Sequence, residues 1–191
     1  MSDSTCHSLA GRLLVAMPGI EDPRFERAVV LLCLHDEQHA MGLTVNRPIE
    51  GLTFAKLLER LEAKPAARPR NDLVLMGGPV EPERGFVLHT ADYLHEPGSV
   101  TVPGGLALTA TREVLEAMAA DSPHPRRAVL ALGHAGWEPG QLEQEILANV
   151  WLTCDADEGL LFDDDHAHKW TRSLAKIGIS AENLSPRAGR A

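Results

Sequence analysis

Only three cysteines occur in this chain, Cys6, Cys33 and Cys154, an odd number with no C-x-x-C spacing. That pattern supports neither a disulfide framework nor a thiolate zinc site, and it predicts reduced thiols. Long apolar runs are missing as well. None approaches the roughly 20 residues a helix needs to cross a bilayer, and the N-terminus, with Asp3, Cys6 and His7 ahead of Leu9, lacks a signal-peptide layout. The expectation is a cytoplasmic protein with no membrane partner. Basic charge is in deficit: 18 Lys and Arg stand against 27 Asp and Glu, a net charge of −9. This balance opposes attraction to nucleic acid or anionic lipid, and the scattered basic residues form no cationic recognition helix. No G-x-S-x-G, P-loop or G-x-G-x-x-G occurs, which removes the common routes to a serine hydrolase, an NTPase or a dinucleotide enzyme.

What is present suits one core. The chain has 191 residues, 44% of them hydrophobic, enough for one substantial domain and short for two. Residues 1–8 and 186–191 read as mobile ends. Strands are predicted at Leu13–Ala16, at the unbroken apolar run Ala28–Leu34, and at Met41–Asn46, which returns as a hairpin stopped by Arg47-Pro48. Phe54, Leu57, Leu58 and Leu61 fall at helical spacing behind Thr53 as N-cap. Further strands are predicted at Leu73–Met76, Phe86–Leu88, Ser99–Val102, Arg127–Leu132 and Val150–Cys154. Further helices carry Val114, Leu115 and Met118; Leu142, Ile146 and Leu147; and Trp170, Leu174 and Ile177, the last ending at Gly178. The fold class implied is α/β: a single-domain sandwich with a mixed β-sheet containing hairpins, flanked by helices.

Two glycine-rich corners stand out. The first, Gly77-Gly78-Pro79 leading to Arg84 and the strand that ends in His89, joins two strands where backbone must turn or another group must come close. The second, Gly133 to Trp137, leads into Gly140-Gln141-Leu142-Glu143. Arg84 has two uses to weigh: a structural clamp on a carboxylate such as Glu143, or the receptor of a small anion. Gly77, Gly78, Arg84, His89 and Glu143 are therefore the first candidates for a ligand or clamp site. Cys33, His35, Asn46, Arg47, Trp137 and Gln141 are secondary candidates. Cys33 and His35 invite a nucleophile and base reading, since i and i+2 share a strand face, but a cysteine inside an apolar run more often serves as a core hydrophobe. Glu143 and Glu145 point apart on one helix, which reads as one networked carboxylate and one solvated one. His35-Asp36-Glu37-Gln38-His39 flanks a turn, so it lacks the helix a zinc-protease motif needs. His166-x-His168 reads as a solvated helix start. No metal and no cofactor are implied.

Several blocks taken in order resemble one family. They are Ala16-Met17-Pro18, Cys33-x-His35, Ala40-Met41-Gly42, Asn46-Arg47-Pro48, Gly77-Gly78-Pro79, Arg84 to His89, Gly136-Trp137, Gly140 to Ile146, Trp151-Leu152-Thr153, Trp170 and Ala188 to Ala191. Together they resemble the AlgH/YqgE family of bacterial proteins across nearly the whole chain. The resemblance implies a single-domain α/β fold of the bacterial cytoplasm with no established biochemical activity, whose members are often labelled transcriptional regulators. The chain departs from the family pattern at His39, His134 and Arg190. Three functions are thus in play: a noncatalytic regulatory or binding module meeting another cytoplasmic protein, an enzyme or binder of a small anionic metabolite, and a regulator acting on nucleic acid.

Overall fold

The computed structural model describes residues 8–67, 72–120 and 123–184. Both predicted mobile ends fall outside that range except for Ser8, whose hydroxyl donates to the His35 carbonyl at 2.9 Å. Among the described residues the strands are β1 (Arg12–Ala16), β2 (Val29–His35), β3 (Ala40–Thr44), β4 (Pro48–Thr53), β5 (Leu73–Met76), β6 (Val80–Thr90), β7 (Ser99–Val102), β8 (Leu106–Thr109), β9 (Ala128–Trp137) and β10 (Trp151–Asp155). The helices are α1 (Phe54–Arg60), α2 (Arg112–Ala119), α3 (Gln141–Leu147), α4 (Glu158–Phe162) and α5 (Lys169–Lys176). None is long and apolar enough to cross a membrane.

The sheet is antiparallel in the order β10-β1-β2-β3-β9-β6-β8-β7, with a β4–β5 ribbon joined to it by one parallel pairing, Leu75 with Ala131 and Met76 with Leu132. The α/β class and the mixed sheet with its hairpins are thereby observed. Strand β9 is the hub: β6 pairs along one edge, while β5 and then β3 share the other.

Alternation along the strands sorts the core onto the two faces. On β1 and β2, Leu13, Val15, Leu31 and Cys33 pack with Trp170 and Leu174 of α5, whereas Leu14, Ala16, Val30 and Leu32 pack with Leu142 of α3 and with Trp137 and Trp151. Strand residues buried on both faces explain why Ala28–Leu34 shows no polar alternation. Helices α1 and α2 form a third cluster with Val87 and Leu130. Each fully buried large side chain contributes roughly 1.5–3 kcal/mol relative to exposure.

Helix ends follow the expected chemistry. The Thr53 side chain accepts from the Lys56 N–H, and Gly178 lies just past α5 at φ 74°, a left-handed position that suits glycine. The hairpin strand β3 ends at Thr44, ahead of Arg47-Pro48 as expected, and Pro48 then begins β4, which pairs with β5. Leu106–Thr109, a segment without a predicted element, is a strand paired to both β6 and β7. One expectation is corrected: Leu147 does not complete the apolar face of α3; it is 83% exposed.

Candidate functional site

The two glycine corners meet. Gly77 donates its N–H to Leu132 O and accepts from the Thr44 N–H, both at 2.8 Å, so it stitches the end of β5 between β9 and the end of β3. A Cβ on Gly77 would lie 2.2 Å from Gly133 O, and one on Gly78 would lie 2.2 Å from the His134 carbonyl carbon. Gly133 answers with φ 71°. The corners are thus interlocked backbone, with no space between them for a ligand. Beyond the crossing, the register shift between Val80↔His134 and Gly85↔Leu132 lifts residues 81–84 into an arch. Arg84 closes this arch: its Nη1 lies 3.1 Å from Glu81 Oε2, and its guanidinium stacks 5.1 Å above Phe86. His134 packs edge-on to Phe86 at 5.6 Å, with Nδ1 3.8 Å from Glu81 Oε2. Burial lowers its pKa, with Glu81 opposing that shift and Arg84 assisting it.

Arg84 and Glu143 therefore take different partners. Glu143 Oε1 lies 2.7 Å from His35 Nε2. The Leu9 N–H donates to His35 Nδ1 at 2.9 Å, so the neutral ring carries its proton on Nε2 and donates to the carboxylate. Cys33 does not face His35. The pairing of β2 with β3 is irregular between Leu32 and Leu34, and this bulge breaks the i, i+2 alternation. Cys33 consequently packs beside Leu31 against the α5 side, while His35 reaches α3. Burial pushes the Cys33 thiol up to about 12.

The remaining candidates brace the fold. His89 is fully buried; its Nδ1 donates to Thr90 O at 2.9 Å, and its Nε2 accepts from Thr109 Oγ1 at 2.8 Å, which in turn meets Ser99 Oγ at 2.7 Å. Desolvation lowers its pKa. Asn46 substitutes for ladder bonds, with Oδ1 accepting from the Val29 N–H and Nδ2 donating to Arg27 O, both at 2.9 Å. Arg47 donates to the Glu26 carbonyl. Trp137 and Gln141 converge on Glu145, a residue the sequence reading treated only as a counterpart of Glu143. Glu145 Oε2 accepts from the indole N–H groups of Trp137 at 2.9 Å and Trp151 at 2.8 Å, and Oε1 accepts from Gln141 at 2.8 Å. Both carboxylates of α3 are engaged, so neither is the solvated one.

A polar cleft of about 410 Å³ lies elsewhere, between the starts of β5 and β9 and the connector after α4. Arg126 crosses to α4 and grips Glu158 with two bonds of 2.8 and 2.9 Å. Asp163, at the cleft wall, is held by Arg172 and lies 3.8 Å from Lys169 Nζ. Lys169 is wholly buried and donates to Val45 O at 3.2 Å and Leu161 O at 3.0 Å. Burial lowers its pKa to about 8 against the opposing pull of Asp163. His166, also in the wall, has an Nδ1 that is buried without a hydrogen-bond partner. Of these residues only His166 was weighed from the sequence, as part of a solvated helix start, and its half-buried ring departs from that reading. One signal was available: Lys169 and Ser173 sit at i, i+4 directly beside the Trp170–Leu174 stripe, and both are buried. Among the described residues, no group of three or more His, Cys, Asp or Glu side chains could hold a metal ion.

Comparison with known proteins places the chain. A family model described as AlgH-like matches residues 13–182. A UPF0301 protein of Caulobacter vibrioides is 62% identical over 191 residues, covering 100% of this chain and 98% of the relative. One from Cereibacter sphaeroides is 48% identical over 183 residues, with coverage of 96% and 99%. The solution structure of AlgH from Pseudomonas aeruginosa superposes with a TM-score of 0.78 at 40% identity and covers all of both chains. A crystal structure of a Corynebacterium diphtheriae protein, at 20% identity, TM-score 0.68 and coverage of 86% and 84%, shares the fold. Matched along nearly its whole length by sequence and by structure, the chain belongs to the AlgH-like family of uncharacterised proteins.

Proposed function

We propose that the protein is a noncatalytic binding module of the cytoplasm, a single-domain α/β sandwich that presents a charged cleft to a small ligand or a partner protein. One contrast supports this reading. The side chains that suggested chemistry are occupied in holding the fold: Cys33 is an undissociated buried thiol, His89 ends a hydroxyl chain, and His35 is fixed between Leu9 and Glu143. The cleft, in contrast, is open, polar and within the size range of small-molecule sites.

An anion at the glycine corner is less favoured. Glu81 already meets Arg84, and the close passage of Gly77 and Gly78 over β9 fills the space behind it. Regulation through direct contact with DNA is disfavoured by the net charge of −9.

The test is an amide-resolved NMR titration of the folded chain with a panel of charged metabolites and with cytoplasmic extract fractions. Binding should perturb amides at 126–129 and 162–166. Perturbations centred on residues 77–84 would shift the reading to the anion site, and turnover of any panel member would overturn a noncatalytic role.

A further inference from the structure

We propose that the cleft between the starts of β5 and β9 is built for a small zwitterion, an amino acid or short peptide, with Arg127 receiving its carboxylate and Asp164 its ammonium. This rests on the binding-module reading and names its ligand class.

The pairing pattern carries the idea. Of the charges that line the cleft, Arg126 and Asp163 are paired with Glu158 and Arg172, and Asp72 is engaged as well. The neighbours of Arg126 and Asp163 in sequence, Arg127 and Asp164, line the same cavity and make no side-chain hydrogen bond or ion pair among the described residues, acting only at longer range, Arg127 on Glu158 and Asp164 on Lys169 and His166. Both sit among anchored groups. Arg127 donates its N–H to Thr90 Oγ1 at 3.2 Å and accepts from the Thr90 N–H at 3.0 Å. Asp164 sits between Asp163, held by Arg172, and Asp165, held by His168 at 2.7 Å. The anchored backbone of Arg127 and the paired neighbours of Asp164 leave mainly the two side chains to be ordered on binding.

The lining also includes Leu73, Val129 and Phe162. Apolar surface in the same cleft as opposite charges suits a short aliphatic body with charged ends. A monoanion would be attracted by Arg127 and repelled by Asp164, and a monocation the reverse, so a single-charge ligand leaves one group unfavourably faced. A guanidinium gives a carboxylate a two-bond fork, and the Asp164 carboxylate can accept from an ammonium group in the same way.

The experiment uses L-alanyl-L-alanine and its two single-charge analogues, N-acetyl-L-alanyl-L-alanine and L-alanyl-L-alaninamide. Each is titrated into the full chain by NMR at low ionic strength. The dipeptide should give saturable shifts confined to 126–129 and 162–166, and each analogue should bind about tenfold or more weaker, the loss expected for one charged hydrogen-bond set. Arg127→Gln should weaken the dipeptide by a similar factor and abolish the discrimination against the amide, which lacks the carboxylate. Asp164→Asn should abolish discrimination against the N-acetyl form. Both positions are exposed, so the variants should keep the parent's thermal midpoint, and a folded spectrum confirms it. Equal binding of an analogue and the dipeptide overturns the zwitterion but leaves the cleft as the binding site. Unmoved cleft amides with all three probes overturn it too, while the module reading falls only if the wider panel and extract fractions also leave the cleft untouched.

Discussion

Cys33 and Lys169 show how burial, acting on single side chains, sets their chemistry. Removing the Cys33 thiol from water disfavours its thiolate, the form that reacts. A water-soluble disulfide reagent at pH 8 should therefore label Cys33 slowly in the native protein and fast in denaturant; rapid native labelling would reopen a redox role. Lys169 has the opposite consequence for stability. Its folded pKa of about 8 lies below the ordinary lysine value of 10.5, so between those values the unfolded chain binds more protons, and the free energy of unfolding rises with pH. The charged amine at neutral pH thus carries a burial cost that is relieved by deprotonation. Cysteine opposes this above its ordinary value of 9.0, because the folded Cys33 holds its proton longer. The clean window is pH 8 to 9, where denaturant midpoints should climb. In Lys169→Met that climb should disappear, and a variant with the wild-type slope would contradict the assignment.

Helix α3 is the element most dependent on polar anchoring. One edge holds Glu143 to His35 on β2, and the other holds Glu145 to the indoles of β9 and β10. Apolar attachment is thin: Leu142 is the buried residue of the helix. Glu145→Ala should leave two indole N–H groups without their acceptor and cost about 1–3 kcal/mol in chemical denaturation. Glu145→Gln keeps an acceptor oxygen and should cost less. Because Trp137 and Trp151 lie 6.0 Å apart at this carboxylate, both substitutions should also shift the tryptophan emission, and unchanged emission in Glu145→Ala would argue against the shared bond. This element was only partly legible in the sequence. Its spacing showed a helix after Gly140, but the partners of its carboxylates lie 108 and 8 residues away in the pairs with His35 and Trp137, and no local pattern encodes that.

At the scale of the whole molecule, the crossing of Gly77-Gly78 with Gly133-His134 joins the β4–β5 ribbon to the main sheet. Gly77→Ala would force a methyl carbon to within 2.2 Å of Gly133 O, a backbone atom that cannot rotate away. We expect a loss of more than about 3 kcal/mol, or failure to fold, measured by urea denaturation. Gly104→Ala, with no atom within 4 Å of the added carbon, is the control, and its φ of 95° limits the cost to local strain. Equal stability of the Gly77 variant and wild type would mean that the two strands do not pass so closely.

What the sequence determined by itself is what short-range chemistry controls: apolar runs for buried strands, helical spacing after Thr53, the glycines as places where side chains cannot fit, and an acidic surface. Ordered motif blocks also carried the family. Tertiary structure alone decided which distant groups meet. Arg84 found Glu81 three residues away instead of Glu143, because the arch at 81–84 curls the chain back on itself. The bulge in β2 turned Cys33 and His35 to different sides. The cleft was invisible because its walls come from segments some 50 and 35 residues apart in the chain, each polar enough to read as ordinary surface until the curl of the sheet sets Arg127 and Asp164 across one cavity.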